Sequence, residues 1–319
     1  MNSTPCNPNA SQEVKAVVKY LSELSGKGII IGQHTKTKAQ EELTYLQEVT
    51  GKLPALCGFE LLAYSPNIRY ETCDEECLKE VNENKETLEG AFHWAEKKGL
   101  ITFTWHWFSP IGGHNKSFYA VNTDFNVPRA LIDGTEENKA FISDLDTIAE
   151  ILKSFRDKHV PIIWRPFHEA DGAWFWWGRY GAEVAIGLYR FMYERYTKYH
   201  ALDNLIWVWN SPLAEGYVGD DVCDVISRDM YPAAHQHTDQ AESYRGLAKI
   251  TPICKITAIG EIGTIPSVTE LSVTRIPWTW FMTWCGEHIT TERFTDKNEL
   301  YKAYNCDYAI TLDKLPQLY

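Results

Sequence analysis

The feature that most constrains the fold of this chain is an alternation repeated eight times. Short apolar runs fall at 28–32, 53–59, 100–105, 160–164, 205–209, 222–227, 255–260 and 278–283. Runs of this length and composition suit strands buried on both faces. Between them lie segments with helical signals. Val14, Val17, Val18, Leu21 and Leu24 make one apolar face, and Phe141, Leu145, Ile148, Leu152 and Phe155 make another. A polar helix is expected over roughly 37–49 and another helix over about 182–199. Thr72-x-x-Glu75 reads as a capping box opening one long helix to about Lys98. Each gap is wide enough for a crossover, which parallel strands require. The pattern predicts an α/β chain closed as a (β/α)8 (TIM) barrel, a single domain over 1–319. An open doubly wound sheet should show a glycine-rich phosphate turn after an early strand. Neither GxGxxG nor GxxxxGK[ST] occurs.

The ends of the runs carry the second pattern. His34, Glu60, His106, Glu169, Asn210, Tyr231, Glu261 and Trp284 follow successive runs, and in such barrels that face holds the chemistry. The densest stretch is PIIWRPFHEADGAWFWWG, from Pro161 to Gly178. Arg165, His168, Glu169 and Asp171 crowd the mouth of a buried strand, where charge is costly unless it pairs or works. Trp174, Phe175, Trp176 and Trp177 follow at once. Flat rings beside carboxylates suit a ligand with apolar faces and polar edges, as a sugar has. The plainer alternative is a strand end capped by an ion pair, with the tryptophans as core. A long Gly- and Asn-rich loop over 109–134 is expected to be functional.

Composition narrows the partner. The net charge of −12 disfavours nucleic acid, acidic polysaccharide and anionic membrane. No run approaches the ~20 apolar residues of a membrane span. A neutral ligand remains, and no cofactor or metal motif calls for either. The segment MNSTPCNPNASQE lacks a basic and an apolar region, so a cytoplasmic location is expected unless a leader has been removed. The cysteines at 6, 57, 73, 77, 223, 254, 285 and 306 are scattered and read as reduced, buried small residues.

Glu169 and Glu261 end the fourth and seventh runs and form the natural pair for splitting an acetal. One donates a proton to the leaving oxygen, and the other attacks the anomeric carbon as an anion. Glu169, set between an imidazole and indoles, should have its pKa raised by desolvation. Glu261, in AIGEIG, has small neighbours and room to accept hydrogen bonds, with Tyr231 the obvious donor.

WRPFHEADGAWFWWG, AIGEIGTIP, TWHW and WTWFMTW together resemble glycoside hydrolase family 26, over nearly the whole chain from IIIGQH to ITLDKLP. The best-known members of that family are endo-β-1,4-mannanases. The resemblance implies a retaining barrel enzyme acting on a neutral β-linked polysaccharide. It implies Glu169 as acid/base with His168 before it, Glu261 as nucleophile and Tyr231 as its hydrogen-bond partner. It also implies substrate contacts from His106 and Trp107, platforms at Trp284 and Trp174, and a supporting carboxylate at Asp229. Cys285 departs from the arginine that some mannanases of the family carry there. The family also contains β-1,3-1,4-glucanases and xylanases. Two other classes can be told apart cheaply. A metal hydrolase using His34, His106, His168 and Asp171 should be stopped by chelators, and it lacks the H-E-x-x-H spacing. A non-catalytic carbohydrate-binding protein would hold mannan without releasing reducing ends.

Overall fold

The computed structural model describes residues 3–36 and 40–319. Eight parallel strands run in the order of the chain: β1 (Ile29–His34), β2 (Leu56–Glu60), β3 (Leu100–Thr104), β4 (Ile162–Arg165), β5 (Leu205–Asn210), β6 (Val225–Met230), β7 (Ile256–Ile262) and β8 (Trp280–Thr283). β8 pairs with β1 and β1 with β2, so the sheet closes on itself. Helices lie between the strands, and the fold is a (β/α)8 barrel. A two-residue strand, β9 (Ala309–Ile310), pairs with the start of β1 beneath β2.

Two buried clusters follow from the period-two alternation of side chains along each strand. Ile29, Ile31, Phe103, Ile162, Trp164, Trp207 and Trp209 face outward and pack under the helices. Ile30, Leu56, Leu100, Ile163, Ile206, Val208, Val225, Ile256 and Met282 face inward, where the helix Gln12–Leu24 joins them through Val14, Val17, Val18 and Leu21. That helix therefore plugs one end of the barrel. Continuing the inward parity toward the other end gives His34, Glu60, Thr104, Arg165, Asn210 and Asp229. The interior is thus apolar at the plugged end and polar at the open mouth.

β7 breaks the parity to serve the site. Its register with β6 passes from Arg228↔Ile259 to Asp229↔Glu261, leaving Gly260 as an extra residue. The bulge turns Glu261 inward. A Cβ on Gly260 would stand 2.5 Å from both Asn210 Nδ2 and Asp229 Oδ1, so only glycine lets those two side chains meet.

Some expected elements differ. The long helix to Lys98 is two helices, Glu75–Glu83 and Thr87–Glu96, and its cap is Asp74, which accepts from the Cys77 amide at 2.8 Å. Thr72 instead closes a 3-10 turn onto the Arg69 carbonyl. Asn82 and Asn84, poor helix formers, mark the break. The helix from Ala182 is α-helical to Glu194 and ends in a π turn over Arg195–Tyr199. Of the polar helix expected from 37, positions 37–39 lie outside the described residues, and the helix spans Glu41–Thr50. β6 starts and ends three residues later than its apolar run, which brings Asp229 into the strand. The loop 109–134 is stitched down by bridges Gly113↔Thr123 and Tyr119↔Phe175. All eight cysteines are unbridged, but only Cys57, Cys77, Cys223 and Cys285 are buried; Cys6, Cys73 and Cys306 are half-buried and Cys254 is exposed. Among the described residues no helix is long and apolar enough to cross a membrane.

Candidate active site

The open mouth gathers Glu169, Asp229 and Glu261, and one carboxylate oxygen from each lies within 4.8 Å of the others. Arg165, the last inward residue of β4, sits among them. Its Nη1 donates to both Asp229 oxygens at 2.9 and 3.2 Å, and its Nη2 donates to Glu261 Oε1. Its side chain is 4% exposed, so one buried guanidinium clamps two buried carboxylates. The second Glu261 oxygen accepts from the Tyr231 hydroxyl at 2.9 Å. Burial, and then the Glu261 charge, push the Tyr231 phenol upward, so it stays protonated and remains a donor. Asn210 Nδ2 donates to Asp229 at 2.9 Å, and burial presses Asp229 upward against the pull of Arg165.

Glu169 sits differently. Its φ is 55°, and that of Phe167 is 51°, both in a region that side chains disfavour. The Asn210 Oδ1 atom holds the bend by accepting the Glu169 amide at 2.9 Å. Burial and the Glu261 charge raise the Glu169 pKa. The indole of Trp174 donates to Glu169 Oε2 at 2.7 Å and lowers it in part. The two glutamates thus differ in environment: Glu261 is held by two donors, one of them cationic, while Glu169 is biased toward its neutral acid.

Three imidazoles line the β1–β4 side. His106 Nδ1 lies 2.7 Å from Glu60 Oε2, and its Nε2 lies 3.2 Å from His168 Nε2. Burial alone would depress His106, but Glu60 reverses this and its pKa is raised. Burial drives His168 and His34 well down, so both are neutral. Trp284 is partly exposed, with its ring 4.4 Å from that of His34. Trp174 is 49% exposed at the rim. Two cavities border residues of the mouth. One of about 570 Å³ is lined by Arg228, Tyr231, Gln236 and Gln240 among others, and one of about 180 Å³ by His34, His106 and Trp284 among others.

Trp107 does not reach the mouth. Thr104 and His106 share the inward parity, so Trp105 and Trp107 turn outward and stack at 3.9 Å. Trp107 is 1% exposed and its indole donates to buried Asp144 at 2.7 Å. Glu169, Glu261, His106, His168, Trp174, Asp229, Tyr231 and Trp284 do converge. Arg165 and Asn210 were visible as residues but not as the clamp and the brace of the site. Counting parity back from the apolar inward residues of β4 and β5 would have found both.

Over 99% of its length the chain is 34% identical to the mannan endo-1,4-beta-mannosidase of Thermothelomyces thermophilus, covering 64% of that protein. It spans 51–64% of the length of three curated relatives matched over 99% of it. A β-(1,4)-mannanase structure from Podospora anserina superposes with a TM-score of 0.90 at 33% identity, covering 100% of this chain and 70% of that one. A β-mannanase from a symbiotic protist of the termite Reticulitermes speratus, solved with a gluco-manno-oligosaccharide, gives 0.88 at 30% identity over 99% and 98%. With residues 6–314 matching the model of glycosyl hydrolase family 26, and a closed barrel that sets two glutamates face to face at its mouth, the chain belongs to that family.

Proposed function

We propose that the chain hydrolyses internal β-1,4-mannosidic bonds of mannan, glucomannan or galactomannan by a retaining double displacement. Glu169 is the acid/base and Glu261 the nucleophile. The observation that carries this reading is the closeness of the two carboxyl groups, whose facing oxygens lie within 4.8 Å. Retaining glycosidases hold the pair ~5–5.5 Å apart, whereas inverting ones leave ~6.5–9.5 Å for a water molecule.

In the first step a Glu261 oxygen bonds to the anomeric carbon as the bond to the leaving oxygen breaks, and that oxygen takes the Glu169 proton. In the second, Glu169, now ionised, takes a proton from water, whose oxygen displaces Glu261. Arg165 and Tyr231 hold Glu261 at fixed orientation. Fixed donors of this kind cost no reorganisation when charge moves.

The substrate class is supported by the relatives' names and by the aromatic residues Trp174 and Trp284 at the edge of the mouth. Internal cleavage is supported by the relatives' names, mannan endo-1,4-beta-mannosidase. The test is a product profile on mannan, galactomannan, lichenan and xylan. Early release of mixed mannooligosaccharides supports the reading. Turnover of lichenan or xylan at least about ten times faster, ~1.4 kcal/mol in transition-state binding, assigns the other substrate instead.

A further inference from the structure

Two thiols meet where the loop 109–134 is fastened to its neighbours. Cys73 follows the 3-10 turn Tyr70–Thr72 in extended conformation, with φ −76° and ψ 130°. Asp74 caps the next helix, Glu75–Glu83, and Cys77 lies in the first turn of that helix. The chain folds back at the cap, and Cys77 Sγ stands 2.9 Å from Cys73 Sγ. A disulfide bond measures ~2.05 Å, so a shift of less than about 1 Å converts the contact into a bond. Cys77 is 1% exposed and Cys73 is half-buried, so Cys73 is the one open to a reagent from solvent. Burial, and then the contact with Cys73, push the Cys77 thiol upward, which makes it inert toward an outside oxidant.

The corner that holds the pair also carries the loop after β3. Asn115 donates its Nδ2 to Asp74 Oδ2 at 2.9 Å and accepts the Asp74 amide at 3.1 Å. Its own amide donates to Thr72 Oγ1 at 3.2 Å. Lys116 pairs with Glu76 at 2.9 Å and with Glu80 at 2.7 Å. The Asn115 bonds are exposed to water, where each contributes little. A covalent tie holds the corner more firmly than they do. The same loop sets the Phe118 ring 5.3 Å from that of His106, so its anchorage reaches the mouth.

We propose that Cys73 and Cys77 are a site of disulfide formation, oxidised by a small-molecule disulfide of the glutathione class, and that the bond fastens the corner from which the loop 109–134 hangs. The Cys73 thiolate attacks one sulfur of the reagent and expels the other half as a thiolate. Cys77 then loses its proton to solvent, and its sulfur attacks Cys73 Sγ, forming the protein disulfide and expelling the second half. Two cysteine thiols are oxidised, one reagent disulfide is reduced to two thiols, and the two cysteine protons are balanced by those the released thiols take up. The second attack is intramolecular across 2.9 Å, and that proximity offsets the weak acidity of Cys77.

The test incubates reduced, folded protein with oxidised glutathione, alkylates the remaining thiols and maps the peptides by mass spectrometry. The peptide holding Cys73 and Cys77 should be lighter by two hydrogens and carry no alkyl group, while buried Cys57, Cys223 and Cys285 stay free thiols. Oxidised wild type should melt about 2–4 °C above the reduced form. In Cys73→Ser, changed at the less buried position, Cys77 should remain a free thiol and the difference in melting temperature should vanish. Both cysteines alkylated after oxidation, or Cys73 found only as its mixed disulfide with glutathione, overturns the assignment. A bond that forms without raising the melting temperature overturns the fastening role. The comparison of oxidised with reduced wild type needs no variant, so the proposal stays falsifiable if Cys73→Ser does not fold.

Discussion

Trp174→Phe separates two roles that one residue combines. Phenylalanine keeps a flat face at the rim and deletes only the N–H that reaches Glu169 Oε2 at 2.7 Å. That bond favours the ionised carboxylate, so it opposes the burial and the Glu261 charge that raise the Glu169 pKa. A hydrogen bond to a charged group contributes ~1.5–3 kcal/mol. Here the donor is half-exposed and water can replace it, which leaves about 0.5–1 kcal/mol. At ~1.36 kcal/mol per pH unit this is about 0.4–0.7 of a unit. Free enzyme needs Glu169 protonated, so kcat/KM falls as pH rises through its pKa. The variant has the higher pKa, and its alkaline limb should therefore move to higher pH by that amount. The assay is kcat/KM on soluble mannan across pH at fixed ionic strength, wild type against variant. A limb that stays in place, or moves to lower pH, refutes the donor role. A uniform loss at every pH with an unmoved limb leaves Trp174 as a stacking surface alone.

Three further outcomes follow from the geometry. Asp144 accepts from Trp107 and Asn67 with no cation beside it among the described residues, and burial raises its pKa from 3.8 to about 7. A raised carboxyl stabilises the fold below its unfolded pKa and loses that contribution as pH climbs to the folded value, here on the order of 4 kcal/mol at most. Asp144→Asn should flatten the fall in melting temperature between pH 4 and 8, and an unaltered slope contradicts this. Tyr231→Phe removes one of the two donors to Glu261 and should lower kcat by about 10- to 150-fold, the ~1.5–3 kcal/mol of a hydrogen bond to a charged group; a change in KM alone would contradict it. Trp284→Ala should reduce activity far more than stability, measured as kcat/KM beside the melting temperature. A steep fall in melting temperature with normal residual activity would make Trp284 a core residue.

Much of the architecture was legible because strands buried on both faces leave a continuous apolar trace, and a trace that ends eight times in a polar or aromatic residue has few closed solutions. What the trace does not carry is where one face of a strand becomes the other. His106 and Trp107 are neighbours in sequence, yet one lines the mouth and the other stacks on Trp105 beneath the helices. The inward turn of Glu261 depends on a bulge at Gly260, which has no local signature beyond a glycine beside a glutamate. Arg165 was conspicuous as a charge on a buried strand. Its partners come from β6 and β7, 64 and 96 residues away, and pairing at that distance is fixed only by closure of the barrel. The start of the helix Glu75–Glu83 is obscured because Thr72 and Glu75 mimic a cap that Asp74 supplies, and the break after Glu83 is marked in the sequence only by Asn82 and Asn84. That break positions Asn84, and with it one wall of the smaller cavity.

The central claim is that Glu169 and Glu261 act as a retaining pair, and the anomeric form of the first product tests it most directly. Two displacements at one carbon restore its configuration, whereas a single displacement by water inverts it. Proton NMR of a mannooligosaccharide digest, read within the first minutes before mutarotation, should show the new reducing end as the β anomer. An α anomer at early times would contradict the account.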